Sequence, residues 1–250
     1  MNSPKKMKQL NKMNQQNKIN PPDKVNPPIL KTENLSRTYR AGSHQVKALK
    51  EANIEIQTGD FVAVMGPSGS GKTTLLSMLG CMEKPTEGKI TLGGDEVSKI
   101  SEANLYLVRR NKIGFVFQGF NLINTLSAAE NVAIPMENTV KSSKDRMYKA
   151  EVLLATVGLR ERAHHRPNQL SAGEQQRVAI ARALANDPAI ILADEPTASL
   201  DTETGRSIME LLRKLCFEQK RTVIMVTHDP RWAEYASRKF TMRDGVISAG

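Results

Sequence analysis

Cysteine is scarce in this sequence and long apolar runs are missing. The two cysteines, Cys81 and Cys216, lie far apart and have no C-x-x-C spacing. That excludes a disulfide framework and a cysteine zinc site, and it fits a reducing compartment. No apolar run approaches the roughly eighteen residues that a membrane-spanning helix needs. The basic beginning of the chain lacks the apolar stretch of a secretory signal. A soluble protein is expected, one that would reach a membrane only through a partner. Heptads, internal repeats and metal-ligand spacings are also absent.

Positive charge is present, but it is unevenly placed. The chain of 250 residues has a formal net charge of +10. Residues 1–30 hold six lysines against one acid, Asp23, and so carry half of that excess. The remainder is spread thinly, so no uniform nucleic-acid-binding face is implied. Residues 1–28 are rich in Asn, Gln, Lys and Pro, with Pro-Pro pairs at 21–22 and 27–28. Such a composition cannot bury apolar surface, and a disordered basic tail is expected there.

Ordered patterning begins near Ile29. "ILKTENLSRTY" and "VKALKEANIEI" alternate apolar and polar residues, as half-buried strands do, with turns marked by Gly42 and Gly59. "FVAVMG" (61–66), "IGFVFQ" (113–118), "AIILADE" and "RTVIMVTH" are short continuous apolar runs, the mark of strands buried on both faces. "GKITLGGDEV" and "KFTMRDGVIS" suggest hairpins about Gly93-Gly94 and Asp244-Gly245. Helices are expected from Lys72 to about Met82, around Thr204–Glu218, and through most of 125–185. Buried strands alternating with helices predict an α/β fold with a mostly parallel core sheet. An antiparallel β subdomain precedes that core, and the block at 125–185 interrupts it as an inserted helical subdomain. The ordered domain is expected to span 29–250.

"GPSGSGKT" (66–73) fits G-x-x-x-x-G-K-[ST] at every fixed position and lies between a buried strand and a helix. Gly66, Gly69 and Gly71 let the backbone curl so that N–H groups point at phosphate oxygens. The helix start adds its partial positive charge. Lys72 can reach the β- and γ-phosphates, and the Thr73 hydroxyl can serve Mg²⁺. Pro67, Ser68, Ser70 and Thr74 complete the candidate nucleotide loop. The cofactors expected are therefore ATP and Mg²⁺. Asp194 ends a buried strand, where a P-loop NTPase places the carboxylate that holds the metal. Glu195 follows it and points the other way if the strand geometry continues, which suits a base or orienter for the attacking water rather than a second metal ligand.

"LSAGEQQRVAIARAL" (170–184) resembles the signature of ATP-binding-cassette ATPases, LSGGQ and the helix after it, and it stands just before the Asp-Glu strand. "SLD" (199–201), Gln118, His228 in "VTHD" and Tyr39 resemble the D-loop, Q-loop glutamine, switch histidine and adenine-stacking aromatic of that family. Tyr39 also has a plainer reading as a strand-end aromatic. The resemblance covers about residues 29–250. It implies catalytic roles for Glu195, His228 and Gln118, and metal binding by Thr73, Gln118 and Asp194. It also implies head-to-tail pairing of two cassettes, in which Ser171, Ala172, Gly173 and Glu174 of one chain meet nucleotide on the other. Two signature positions depart from the pattern, Ala172 for Gly and Glu174 for Gln. Alanine keeps its N–H and is tolerated where φ is negative.

"IGFVFQGFNLINTLSAAENVAIPM" and "THDPRWAEYASRKFTMRDGVI" resemble the lipoprotein-release and macrolide-export type. That resemblance implies an ATPase subunit of a membrane transporter exporting lipid, lipoprotein, peptide or drug. Its partners would be integral-membrane permease subunits and a second copy of this chain. Its place would be the cytoplasmic face of the inner membrane, with no specific nucleic acid. The alternatives are a cell-division-type cassette signalling through a membrane partner, and a soluble cassette without a transport role.

Overall fold

The structure, a computed structural model, describes residues 27–41 and 44–250. The tail expected at 1–28 lies outside the described residues except for its last two prolines, as does the expected turn at Gly42. Strand β1 (Leu30–Ala41) pairs antiparallel with β2 (His44–Ile56), in a register running from Leu30↔Ile56 to Ala41↔His44. Strand β4 (Glu87–Leu92) covers the other edge of β1, and β5 (Asp95–Glu96) turns back through Gly93-Gly94. The reason this sheet is one-sided is visible in β2, where Ala52, Ile54 and Ile56 are buried while Glu51, Asn53 and Glu55 are exposed.

The second sheet has the order β10-β9-β3-β8-β7-β6. Its members are β3 (Phe61–Met65), β6 (Ile113–Val116), β7 (Ile190–Asp194), β8 (Thr222–Thr227), β9 (Arg238–Arg243) and β10 (Val246–Ala249). All neighbours are parallel except β9 and β10, which form the expected hairpin. The continuous apolar runs follow from burial on both faces. Phe61, Ala63, Ile191, Ala193, Val223 and Met225 enter one core cluster. Their alternates Val62, Val64, Ile190, Leu192, Ile224 and Val226 enter the other. The second cluster also takes Leu30, Ile54 and Ile56 from the antiparallel sheet. Burying each Val, Leu or Ile among these contributes about 1.5–3 kcal/mol.

Helix α1 (Lys72–Leu79) lies between the sheets, with Leu75, Leu76, Met78 and Leu79 in the second cluster. Helix α2 (Glu102–Lys112), not anticipated from the sequence, buries only Leu105 and Val108. The region 125–185 contains α3 (Ala128–Ala133), α4 (Ser143–Thr156) and α5 (Ala172–Ala183), joined by 3₁₀ turns. These three helices pack on one another and on the first cluster through Ala129, Val132, Leu154 and Val178. Helix α6 (Thr202–Phe217) begins two residues before its expected start, because Asp201 caps it by accepting from the Glu203 and Thr204 N–H groups. Helix α7 (Pro230–Ala233) is a single turn capped by Asp229. What positions the site is the parallel order. Strands β3, β8, β7 and β6 are consecutive neighbours, so the loops after all four gather at one edge.

Candidate functional site

The loop leaving β3 can be built only from glycine at its two ends. A Cβ on Gly66 would stand 2.2 Å from the carbonyl oxygen of Met242 in β9. Gly71 has φ 103°, and its Cβ would meet the Ala48 carbonyl oxygen of β2 at 2.3 Å. The loop is thus pressed between two strands and delivers the chain into α1 with its N–H groups pointing forward. Lys72, at the first helical position, is only 8% exposed. Its Nζ donates to the carbonyls of Gly66 at 2.8 Å and Pro67 at 3.0 Å. An ammonium has three donors, so one proton stays available to an anion held in front of the loop.

A cleft of about 460 Å³ opens at this edge. From the loop and α1 it is lined by Pro67, Ser68, Gly69, Lys72 and Thr73, and from the neighbouring strands by Gln118, Asp194, Glu195 and His228. Gly66, Ser70, Gly71 and Thr74 belong to the same loop and helix start without lining the cleft. Gln118 does not end a strand as expected. Strand β6 stops at Val116, and Gln118 sits in the turn beyond it.

The paired acids do not alternate as a continuing strand would place them. Strand β7 ends at Asp194, and Glu195 takes φ 45°. A left-handed residue reverses the alternation, so both carboxylates face the cleft. The corner is held by the Glu195 N–H donating to Val226 O at 3.1 Å and the Ala198 N–H donating to Glu195 O at 3.1 Å. Burial, and then the Glu195 charge, push the Asp194 carboxyl above its ordinary range, while Thr73 and Lys72 pull it back. Glu195 Oε1 lies 2.9 Å from His228 Nδ1. The Glu195 side chain is 14% exposed and the His228 ring 64%. A proton on Nδ1 makes the ring a donor to the carboxylate and leaves Nε2 as an acceptor facing solvent.

The signature residues do not line this cleft. They form the start of α5, with Ser171 as its N-cap. The Ser171 hydroxyl accepts from the Glu174 N–H at 3.2 Å, and the Glu174 carboxylate accepts from the Ser171 N–H at 2.8 Å. This is a capping box. The other Glu174 oxygen pairs with Arg162 at 3.0 Å, so both oxygens are engaged within the chain. The hydroxyl of Ser171 keeps its donor, and the N–H groups of Ala172 and Gly173 have no helical partner. Ala172 is exposed and does not take positive φ. Gly173 is buried, and a Cβ there would meet Thr204 of α6 at 2.4 Å, so this glycine brings the two helix starts together. Tyr39 also stands away from the cleft lining. Its hydroxyl donates to Glu83 at 2.7 Å, and the Arg37 guanidinium covers its ring at 4.8 Å. Gln176, one turn into α5, lies inside the signature stretch 170–184, but the sequence assigns it no role of its own.

A family profile described as ABC transporter matches residues 49–198, more than half of the chain. The chain belongs to the ABC transporter ATPase family. An uncharacterized ABC transporter ATP-binding protein of Thermotoga maritima is 49% identical over 219 residues, covering 88% of this chain and 93% of that protein. The macrolide export ATP-binding/permease protein MacB of Hyphomonas neptunium is 45% identical over 219 residues, which is 88% of this chain but only 34% of MacB. MJ0796 of Methanocaldococcus jannaschii has been solved as a dimer in a post-hydrolysis state bound to ADP and Pi. That structure matches with a TM-score of 0.81 and 46% identity, over 88% of this chain and 98% of its own. As an ABC ATPase, this chain is a nucleotide-binding transporter subunit that binds and hydrolyses ATP. Among the described residues, no helix is long and apolar enough to cross a membrane.

Proposed function

We propose that this ABC ATPase pairs head to tail with a second copy and powers integral-membrane permease subunits that export or extract lipid, lipoprotein, peptide or drug. It would work peripherally, at the cytoplasmic face of the cell membrane. The export reading is supported by likeness to MacB, whose own name joins an ATP-binding part to a permease. The hydrolytic reading is carried by one observation, the Glu195–His228 contact across a cleft floored by Lys72.

The phosphate chain of ATP fits the loop at 66–73, with Lys72 and the start of α1 facing its charge. Glu195 accepts the proton of a water aligned on the γ-phosphorus, and His228 holds that carboxylate in place. A hard divalent cation suits the oxygen donors beside it. Asp194 is a carboxylate whose charge burial and Glu195 disfavour, and Thr73 and Gln118 line the same cleft. When bound by Thr73, Gln118 and Asp194, Mg²⁺ would neutralise phosphate charge. Ser171 and the free N–H groups of Ala172 and Gly173 then close on the γ-phosphate of the partner's nucleotide.

Glu195→Gln tests this reading. ATP binding should persist, turnover should fall about 10²–10⁴-fold, and an ATP-bound dimer should elute early in size-exclusion chromatography. Near-normal hydrolysis by the purified variant would sink the assignment.

A further inference from the structure

We propose that Gln176 is a positioning residue that fixes the Glu195–Pro196 corner from helix α5. The proposal rests on the reading of Glu195 and of the α5 start given above. Gln176 is completely buried. Its Nε2 donates to the carbonyl oxygen of Pro196 at 2.7 Å. Its Oε1 is buried with no hydrogen-bond partner. The amide is only half-satisfied: its bond to the buried Pro196 carbonyl is offset by the unpaired Oε1, so its net contribution to stability is small. The bond therefore needs another explanation, and its acceptor supplies one.

Pro196 directly follows Glu195, the residue held at φ 45°. A left-handed non-glycine persists only where its surroundings over-determine it. Two of the bonds at this corner come from Val226 of β8 and from Ala198 in the next turn. The third comes from Gln176, and it reaches the corner from a different element, α5. That helix has Ser171 as its N-cap and Ala172 and Gly173 as its first residues. Gln176 thus joins the surface that meets a partner's nucleotide to the carboxylate serving this chain's own. Displacement of the α5 start moves the Pro196 carbonyl, and with it the aim of Glu195 toward His228.

Gln176→Met tests this. It keeps the side-chain length and removes the unpaired Oε1, while the Pro196 carbonyl loses its donor. The nucleotide-free variant should stay folded at the assay temperature, melting at most a few degrees below the parent because one unpaired acceptor replaces another, and bind ATP with the same Kd. Its kcat should fall tenfold or more, while KM stays within twofold. Gln176→Leu, in the same assays, covers the case in which Met packs badly. Glu195→Gln, measured in parallel, separates the two readings. If it retains turnover, the role of Glu195 itself is wrong. If it abolishes turnover while a folded Gln176 variant keeps kcat within twofold, the positioning role is wrong. A large fall in melting temperature with loss of ATP binding in both Gln176 variants would make the residue structural and would likewise overturn the proposal.

Discussion

Glu174→Ala and Glu174→Gln perturb the start of α5 to different extents, and the difference measures what this carboxylate does. One oxygen caps the Ser171 N–H at 2.8 Å and the other pairs with Arg162 at 3.0 Å. Alanine removes both. Loss of a cap costs about 1 kcal/mol. The ion pair, with side chains 49% and 27% exposed, adds only a few tenths. For a chain of this length about 1 kcal/mol lowers Tm by roughly 2–4 °C, so Glu174→Ala should lower it by about 2–5 °C. Glutamine keeps an oxygen for the Ser171 N–H and loses only the charge, about 0.5 kcal/mol or 1–2 °C. The pH dependence has a definite sign. The Ser171 N–H first, with Arg162 beside it, holds the carboxyl below its ordinary range. Its stabilisation is complete above the unfolded value of 4.5 and is lost as pH falls through the folded one. The parent–Gln gap should therefore close in acid. Thermal melts of nucleotide-free protein at neutral and acid pH, with ATPase rates, decide the matter. A cap predicts that Glu174→Gln hydrolyses within about tenfold of the parent, since the Ser171 donor survives. If Glu174→Ala abolished turnover without moving Tm, the carboxylate would be a nucleotide ligand and this reasoning would fail.

Two further substitutions probe the cleft floor. Lys72→Ala removes the ammonium that faces the phosphates before any chemistry, so ATP binding itself should weaken, in contrast to Glu195→Gln; an unchanged Kd by calorimetry would count against the role. Asp194→Asn should raise the Tm of nucleotide-free protein at neutral pH while abolishing hydrolysis, because burial first and Glu195 second lift its folded pKa above the unfolded value of 3.8. The penalty it relieves is absent below that unfolded value and complete above the folded one, so the gain should vanish in strong acid, and a fall in Tm at pH 7 would refute the argument.

The parts of the fold legible in the sequence are those whose burial is extreme. FVAVM, IILAD and TVIMVT read as buried strands because their apolar residues pack alternately on one face and the other, which the two core clusters bear out. The glycine loop is legible for the opposite reason, since its conformation admits little else. Helix α2 is hidden because only Leu105 and Val108 are buried, too thin a stripe to stand out from its charges. Strand order is not written in any run. Nothing in the sequence says that β3 lies beside β8 rather than β7, yet that order puts His228 next to Glu195.

Local geometry at the site was legible only up to the point where regular structure ends. Alternation is a property of extended backbone, and extrapolating it past Asp194 sends Glu195 to the wrong side. The left-handed turn at Glu195 is a tertiary fact, imposed by Val226 from β8 and by Gln176 from α5. The same limit applies to Gln118, which leaves its strand two residues early, and to Tyr39, whose ring is covered by Arg37 rather than open to the cleft. In each case a motif names the residue type that the chemistry needs. The neighbours that aim the side chain come from distant sequence, and for Glu195 one of those neighbours is a buried glutamine to which the signature stretch by itself assigns no role.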